Sequence, residues 1–477
     1  MITKMKDLYW ASPEIAKDMI GWCLRLLPND PIAKPTPAQK DYHSKLLASE
    51  WLPADQLKQI QLDKLSKMIR HAYEHTRYYR SVFEERKLKP SDIKTIEDLQ
   101  KLPILTKEII RSRLDDFICD TVTDRSQLEV ILTGGSTGTP MRFFFDKHML
   151  GVRNAHWWRW SDFAGIKLFE DKMIYCGGAP KRWVNAPENT RGCLSLTRNR
   201  LSISSANMSD KVLDWYIEDI SKFKGDYIRG YASGVYLLAR RLVERGITIP
   251  LKAILTSSDT LFPQYRATIE KAFRCQVFNH YGQNEDSLTA NECSKGDGFH
   301  INVESCVVES VDNDGLSVTG REGRLLSTHL ENFVMPLIRY AVGDVGIVSE
   351  FGPKCNCGRS HQKLLSLTGR DDDIIVTPEG FRVGCGSMNQ PMKTMYDSIK
   401  SAQYIQEDIG LLHVKVIPTE RWDNSIHYPE LEHNIRKHVG KEIKIEIELV
   451  DDIPRRPNGK YQFIVSKIPQ NATCQRQ

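Results

Sequence analysis

The stretch LTGGSTGTPMRFFFD, residues 132–146, is rich in glycine and hydroxyl side chains, a composition that suits phosphate binding. Backbone N–H groups converge on a phosphate where small residues let the chain approach closely. The loop contains no lysine, and Gly138 is followed by Thr139 and Pro140 where a P-loop needs lysine and serine or threonine, so the standard P-loop is excluded. A plain hairpin turn stays open as the alternative. The candidate phosphate donors are Thr133, Gly134, Gly135, Ser136, Thr137, Gly138 and Thr139.

Two later stretches place polar residues directly after a predicted strand. FNHYGQNEDS carries Tyr281 and Gly282, with Glu285 four residues beyond the tyrosine. A tyrosine ring could stack on a base, and a carboxylate could hold Mg²⁺. MPLIRYAVGDVG ends its strand near Asp344, whose carboxylate could accept hydrogen bonds from the vicinal hydroxyls of a ribose. Ordinary turns are the alternative at both places.

Two charged turns complete the set of candidate residues. LTGRDDDII places Arg370 beside the triple aspartate 371–373, and PNGK places Lys460 directly after a tight turn. Adjacent carboxylates usually form a solvated turn, and a lysine on a turn is usually solvated too. Taken singly, neither stretch indicates a function.

The elements that must position these residues follow an α/β pattern. Strand-like runs, such as KMIYCGG, KAILTSSD and CQVFNHYG, each end in glycine or polar residues, and helical patterns such as QYRATIEKAF lie between them. This alternation predicts a sheet with ligand-binding loops at the carboxyl ends of its strands. Residues 57–85 have helical periodicity and predict a helix, whereas the proline-rich residues 29–40 predict a surface connection.

The length of 477 residues predicts more than one domain. We expect a large N-terminal domain over residues 1–369, including an N-terminal extension over residues 1–56, and a small α+β C-terminal domain over residues 370–477. The strands and helix of the last hundred or so residues suffice for such a domain, and residues 305–349 are strand-rich.

Composition restricts the class of protein. The net charge of +5 is dispersed along the chain, which argues against nucleic acid as a partner. The sequence contains no run of 18 apolar residues, so we expect no membrane-spanning helix. The N-terminus lacks the pattern of a signal peptide. The odd number of cysteines, 11, is typical of a reducing compartment, so we expect a cytoplasmic protein. The sequence leaves monomer and homodimer open.

In their order and rough spacing, these stretches resemble the adenylate-forming superfamily, which contains acyl-CoA synthetases, luciferases and peptide-synthetase adenylation domains. RGYASGVYLLA, ILTSSDTLFPQYRATIEKAF and CNCGRSHQKLLSLTGRDDDII resemble in particular the phenylacetate-CoA ligase-like branch found with capsular and other surface-polysaccharide genes. The resemblance implies the fold of that superfamily: a large multi-sheet N-terminal domain and a small mobile C-terminal domain, hinged at residues 371–373.

The resemblance also implies a role for each motif. Residues 133–139 would embrace the ATP phosphates, Glu285 would bind Mg²⁺, Asp344 would hold the ribose, and Lys460 would be the catalytic lysine. The remaining residues that would contact the nucleotide are Ser257, Ser258, Asp259, Tyr281, Gly282 and Arg370.

The implied reaction is ATP-dependent activation of a small-molecule carboxylic acid as an acyl-adenylate with release of pyrophosphate. Transfer to coenzyme A would follow. Transfer to an amine in polysaccharide modification and a catalytically silent role in polysaccharide assembly are the alternatives. The segment after MIYCGG departs from phenylacetate-activating ligases, which puts phenylacetate itself in doubt. The segment is basic, which suits a polar or acidic acyl group, and a solvated loop is the alternative.

Four further residues form a candidate structural zinc site. Three thiolates and one imidazole are a legitimate tetrahedral ligand set, although the Cys-x-Cys spacing is tighter than usual and two unrelated polar loops are the alternative. Resemblance to relatives that carry a structural zinc favours the site. The predicted ligands are Cys293, His300, Cys355 and Cys357.

Overall fold

A computed structural model describes Ala16 and residues 34–132, 141–177, 192–195, 199–205, 208–352, 354–370, 374–379, 382–384, 388, 391–392, 395, 397–455 and 461–468. The helices in these ranges are α1 (Pro37–Ser49), α2 (Ala54–His75), α3 (Arg77–Glu85), α4 (Lys107–Ser112), α5 (Lys147–Phe163), α6 (Asp210–Phe223), α7 (Ala232–Glu244), α8 (Pro263–Phe273) and α9 (Asn424–Val439).

The strands are numbered along the chain in the same way. They are β1 (Glu129–Leu132), β2 (Arg142–Phe145), β3 (Met173–Gly177), β4 (Cys193–Leu194), β5 (Arg200–Ser204), β6 (Tyr227–Tyr231), β7 (Ala253–Ser257), β8 (Val277–Gly282), β9 (Thr289–Glu292), β10 (Phe299–Ile301), β11 (Cys306–Val311), β12 (Glu322–His329), β13 (Tyr340–Val348), β14 (Lys363–Arg370), β15 (Ile374–Val376), β16 (Arg382–Gly384), β17 (Ile399–Asp408), β18 (Leu411–Pro418), β19 (Lys444–Leu449) and β20 (Ile464–Ser466).

The main sheet has the strand order β11-β12-β13-β14-β10-β9-β8-β7-β6-β3-β5-β4. Strands β5, β3, β6, β7 and β8 run parallel, whereas β9 to β14 pair antiparallel. The parallel half arises where strands alternate with helices, because a crossover connection returns the chain to the same edge of the sheet. The predicted α/β class is therefore confirmed.

Helices cover both faces of the parallel half. On one face, α6, α7 and α8 bury an apolar cluster that includes Leu213, Val235 and Ile269. On the other face, Trp160 of α5 packs with Tyr227, Leu255 and other side chains of the sheet. The apolar residues of α5 therefore shield this face of the sheet from water.

Two expectations about the N-terminal third are wrong. The surface connection expected over residues 29–40 is wrong from Pro37 onward, where α1 begins and the Thr36 hydroxyl accepts a hydrogen bond from Gln39 N, and residues 29–33 lie outside the described part of the chain. The helix expected over residues 57–85 is two helices, because Thr76 leaves the helical region and caps α3. In both places a threonine cap starts a helix that apolar periodicity alone does not delimit.

The C-terminal residues build a second sheet, with strand order β19-β18-β17-β20. Its core includes Tyr404, Val414 and Ile464, and it extends to Leu431 and Ile435 of α9. A separate short hairpin forms where β15 pairs antiparallel with β16. A domain boundary at residue 369 stays a prediction.

In the part of the chain that the structure describes, no helix is both long and apolar enough to span a membrane.

Candidate active site

The parallel strands end together at one edge of the main sheet. Tyr231, Ser257 and His280 lie in register at the ends of β6, β7 and β8. The strands pack closely there, because a Cβ on Gly230 would lie 2.0 Å from the carbonyl oxygen of Cys176. A glycine is therefore required beside this edge.

Two of the predicted nucleotide-binding residues meet at this edge. The hydroxyl of Tyr281 donates a hydrogen bond of 2.5 Å to Asp344 Oδ2, and the Gln283 amide donates one of 3.0 Å to the tyrosine oxygen. Tyr281 and Asp344 are both partly exposed. The two residues are 63 positions apart in the chain, yet an aromatic ring and a carboxylate now line one surface. We call Tyr231, Ser257, Tyr281 and Asp344 the carboxyl edge.

Glu285 lies behind this edge and is 3% exposed. Its Oε1 accepts a hydrogen bond of 2.8 Å from the hydroxyl of Tyr340. Burial, followed by the neighbouring Glu285 carboxylate, holds the pKa of Tyr340 well above its usual range, so the phenol stays a donor. Glu285 is thus fixed in place, and Mg²⁺ binding by its carboxylate stays a prediction.

The turn after Glu285 rests on buried histidines. Asp286 has a positive φ of 51°, and its Oδ2 lies 3.5 Å from Nδ1 of the buried His156, too far for a strong hydrogen bond. Burial lowers the pKa of His329, which also contacts this turn, to about 4. A neutral His329 imidazole therefore supports the turn at physiological pH.

Asp259 caps a helix at the same edge. Its carboxylate accepts hydrogen bonds from the backbone N–H groups of Ala232 and Ser233, at 2.6 and 3.2 Å, and from the Ser233 hydroxyl at 2.5 Å. These groups belong to the first turn of α7, where a carboxylate satisfies free donors. Burial raises the pKa of Asp259, while the Ser233 hydroxyl and Arg455 oppose that shift. Contact of Asp259 with a nucleotide stays a prediction.

The segment that leads to Lys460 approaches this edge. Arg455 Nη1 donates a hydrogen bond of 2.9 Å to the Ser233 hydroxyl, next to Asp259. Arg455 is five residues before Lys460 in the sequence. The C-terminal segment is thereby anchored beside the helix that Asp259 caps.

Several predicted residues lie outside the described part of the chain, namely the loop 133–139, the aspartates 371–373 and Lys460. The described neighbours of two of these segments lie near the carboxyl edge. Asn284 donates a hydrogen bond of 3.0 Å to the carbonyl of Leu132, the residue before the glycine-rich loop. The backbone of Arg370 pairs with that of Asp344 across β13 and β14.

The four predicted zinc ligands come together. One ligand atom from each of Cys293, His300, Cys355 and Cys357 lies within 4.8 Å of the others. The sulfurs of Cys293 and Cys355 are 3.8 Å apart, and the sulfur of Cys357 is 3.4 Å from His300 Nε2. Tetrahedral zinc with Zn–S bonds of about 2.3 Å would separate two sulfurs by about 3.8 Å. We call these four residues the cysteine cluster, and its donors fit zinc.

The cysteine cluster is remote from the carboxyl edge. Thr289 of β9 pairs with Gly282, whereas Cys293 lies four residues further on, about 13 Å along an extended strand. Burial raises the pKa of Cys355 to about 12, so this thiol stays protonated unless a cation displaces the proton. The arrangement suits a structural ion and has no part at the carboxyl edge.

The comparisons with known proteins agree with this geometry. Residues 375–467 match the family of the CapK C-terminal domain. Protein CapK of Staphylococcus aureus is 24% identical over 412 residues, 86% of this chain and 89% of that protein. A phenylacetate-coenzyme A ligase of Thermus thermophilus is 24% identical over 340 residues, 69% of this chain and 73% of that protein. The chain is thus similar in sequence to CapK and to the phenylacetate-coenzyme A ligases.

A solved structure shows the same fold. The chain superposes on 2-hydroxyisobutyryl-CoA ligase, in the postadenylation state in complex with R3-HIB-AMP, with a TM-score of 0.69 and 20% sequence identity. The match covers 88% of this chain and 91% of that ligase. The predicted fold, that of adenylate-forming ligases, is therefore confirmed, and the chain has a large sheet followed by a C-terminal α+β unit.

Sequence patterns missed some residues of the candidate site. Tyr340 supports Glu285, Arg455 anchors the C-terminal segment, and Arg229 lies beneath the carboxyl edge. Arg229 had a detectable signal, since a charged residue interrupts the apolar strand YIRGY. For Tyr340 and Arg455 no local pattern exists, because their partners are distant in sequence.

Proposed function

We propose that this chain activates a carboxylic acid as an acyl-adenylate at the expense of ATP and then transfers the acyl group to coenzyme A. The observation that carries the proposal is the 2.5 Å hydrogen bond between Tyr281 and Asp344. It brings together, at the edge where ligands bind in α/β sheets, an aromatic ring that would stack on the base and a carboxylate that would hold the ribose. The ligase relatives support the same reaction class.

In the first half-reaction, a carboxylate oxygen of the acid attacks the α-phosphorus of ATP. The bond from that phosphorus to the bridging oxygen breaks, and pyrophosphate leaves. Asp344 holds the ribose, Tyr281 packs on the adenine, and the loop 133–139 supplies neutral donors to the phosphates. Charge that develops on the α-phosphate needs a positive group, which Lys460 provides from the C-terminal segment.

In the second half-reaction, the thiol of coenzyme A attacks the acyl carbonyl carbon. AMP leaves with the bonding electrons, and the thiol proton passes to solvent. Withdrawal of Lys460 with a mobile C-terminal domain would open the site to the thiol. The anchor formed by Arg455 and Ser233 is a contact that this movement would break.

Two metals belong to the proposal. Glu285 would hold Mg²⁺, which supplies positive charge to the phosphates, and the Tyr340 hydroxyl orients that carboxylate. The cysteine cluster would hold a structural zinc ion, which would tie the turn after β9 to the loop between β13 and β14.

We also propose that residues 1–369 and 370–477 are the two domains.

The test is pyrophosphate release screened over a panel of carboxylic acids, with coenzyme A, with amines, or with no acceptor. We expect acid-dependent pyrophosphate release, and a thioester only when coenzyme A is present. An amide product with no thioester would show that the acceptor is an amine and not coenzyme A, and the proposed adenylation would stand. Failure of every acid on a broad panel would contradict adenylation and favour a silent assembly protein.

A further inference from the structure

Arg229 occupies an unusual place for a charged residue. It lies in β6, in register with Tyr175 of β3 and Leu255 of β7, so these side chains share one face of the sheet. That face packs against α5, and its neighbours Leu255 and Phe278 belong to an apolar cluster with Trp160. A guanidinium group thus enters an otherwise apolar and aromatic layer between helix and sheet.

Aromatic rings hold the guanidinium of Arg229. Its Cζ lies 3.1 Å from the centre of the Trp157 ring and 5.6 Å from that of Trp160. Stacking on an indole fixes the plane of the group and leaves its N–H donors at the rim available. The buried indole N–H of Trp160 also lacks an acceptor in the described part of the chain. Among the described residues, therefore, neither the Trp160 indole nor the Arg229 guanidinium beside it has a hydrogen-bond acceptor.

The buried arginines of the described chain behave differently from the half-buried Arg229. Arg159 pairs with Glu304 at 2.7 Å, Arg339 pairs with Glu309 at 3.1 Å, and Arg359 pairs with Glu50. For Arg229 the structure shows no carboxylate partner among the described residues.

The charged groups near Arg229 also differ from those near the paired arginines. Its pKa is lowered to about 10, chiefly by burial; Tyr227 and Tyr175 oppose that shift, and the positive Arg153 and Arg200 add to it. A buried guanidinium without an anion is unfavourable unless a ligand supplies one. Part of the Arg229 surface nevertheless reaches solvent, so a ligand can approach it.

Arg229 lies a short distance along β6 from the edge where the reacting carboxylate of the acid would bind. Tyr231, two residues further along β6, pairs with Ser257 at the carboxyl edge. Two residues of an extended strand span about 7 Å. An acid whose reacting carboxylate lies at the edge would therefore direct the rest of its short chain toward Arg229.

Resting on the proposed adenylation, we propose that Arg229 determines substrate specificity by binding a second carboxylate on the acid. The preferred substrates are then short dicarboxylic acids, not neutral arylacetates. The guanidinium pairs with the distal carboxylate, the Trp157 ring holds the guanidinium, and the other carboxylate remains free to attack ATP.

The test compares matched acids on wild type and variants by acid-dependent pyrophosphate release. Succinate and glutarate are paired with their monomethyl esters, which differ in one charge, and phenylacetate is included. We expect wild type to favour each diacid over its ester by about 10- to 100-fold in kcat/KM. Arg229→Met should abolish that preference, chiefly through KM, and Arg229→Lys should retain part of it.

Arg200→Met is the matched control, because it removes a nearby positive charge from an exposed position. It should change the preference by less than about fivefold. An equal preference in wild type and Arg229→Met, or a wild type that favours the esters, would overturn the role of Arg229 and leave adenylation standing. Circular dichroism and thermal unfolding of each variant show whether it folds.

A binding measurement separates the two proposals. If no acid releases pyrophosphate, adenylation is contradicted, and titration of the tryptophan fluorescence with succinate and glutarate decides the role of Arg229. Saturable binding to wild type that Arg229→Met abolishes and Arg229→Lys weakens would support it. Absence of binding, or equal binding by wild type and Arg229→Met, would overturn it.

Discussion

The carboxyl edge and the cysteine cluster lie toward opposite ends of β9, and they differ in how their polar groups are satisfied. At the carboxyl edge, Tyr281 and Asp344 bond to each other but remain partly exposed. In the cysteine cluster, Cys293, His300 and Cys355 are buried and face mainly one another. The first arrangement suits a ligand that enters and leaves, whereas the second suits an ion that stays. Substitutions should therefore affect catalysis at one end and stability at the other.

The largest expected effect on catalysis comes from Lys460→Ala. Loss of the ammonium should lower the rate of acid-dependent ATP–pyrophosphate exchange by about 100- to 1,000-fold, because the developing charge on the α-phosphate loses its counterion. Thermal stability should be unchanged. Lys467→Ala is the control, since that lysine is exposed and pairs with Glu407 at 2.5 Å. Exchange near the wild-type rate in Lys460→Ala would refute the catalytic assignment.

The largest expected effect on stability comes from Cys355→Ser. Purified wild type should contain about one equivalent of zinc, and the variant should lose it along with about 3 kcal/mol or more of the free energy of unfolding. Metal analysis and denaturant titration measure both quantities. Cys193→Ser, at a half-buried cysteine outside the cluster, should retain the metal. A wild type with less than about a tenth of an equivalent of zinc would show that the cluster is no zinc site.

Lowering the pH should have an intermediate effect on the free energy of unfolding. Burial lowers the pKa of His329 to about 4, below the usual 6.5, so between these values the unfolded chain binds a proton that the folded chain does not. Stability must therefore fall as pH falls through this window, by about 2 kcal/mol for this residue at pH 5. His329→Asn, which keeps an acceptor for the backbone donors of residues 331 and 332, should remove that part of the slope between pH 7 and 5. An unchanged slope would contradict this.

The smallest effect is expected from Asp344→Asn. The amide keeps one acceptor but loses the charge, so KM for ATP should rise about tenfold with little change in the zinc content. Asp314→Asn, at an exposed turn, is the control. Steady-state kinetics at saturating acid provide the measurement. If KM for ATP rises by much less than tenfold, Asp344 makes only a structural contact with Tyr281. Loss of zinc from the variant would contradict the functional difference between the carboxyl edge and the cysteine cluster.

Local patterns predicted the elements of the fold but not all of their limits. Strands that end in glycine or polar residues were recognisable because parallel strands are apolar and end at loops. The break at Thr76 and the start of α1 at Pro37 were missed, since capping depends on single side chains within an otherwise periodic or proline-rich stretch.

The candidate site was predictable only in part. The order of motifs pointed to Tyr281 and Asp344, and their hydrogen bond then emerged from the pairing of distant strands. Arg229 was not recognised, because its significance lies in the absence of a carboxylate among its described neighbours. A sequence shows which residues are charged, but the tertiary packing decides which charges have partners.

The central claim is formation of an acyl-adenylate, and a single-turnover experiment tests it most directly. Enzyme in excess of radiolabelled ATP is mixed with an acid that supports pyrophosphate release, first without coenzyme A and then with it. We predict that labelled acyl-adenylate accumulates to about one equivalent of the ATP supplied, and that added coenzyme A converts it to thioester and AMP. Formation of ADP instead of acyl-adenylate, or label release independent of the acid, would contradict the account.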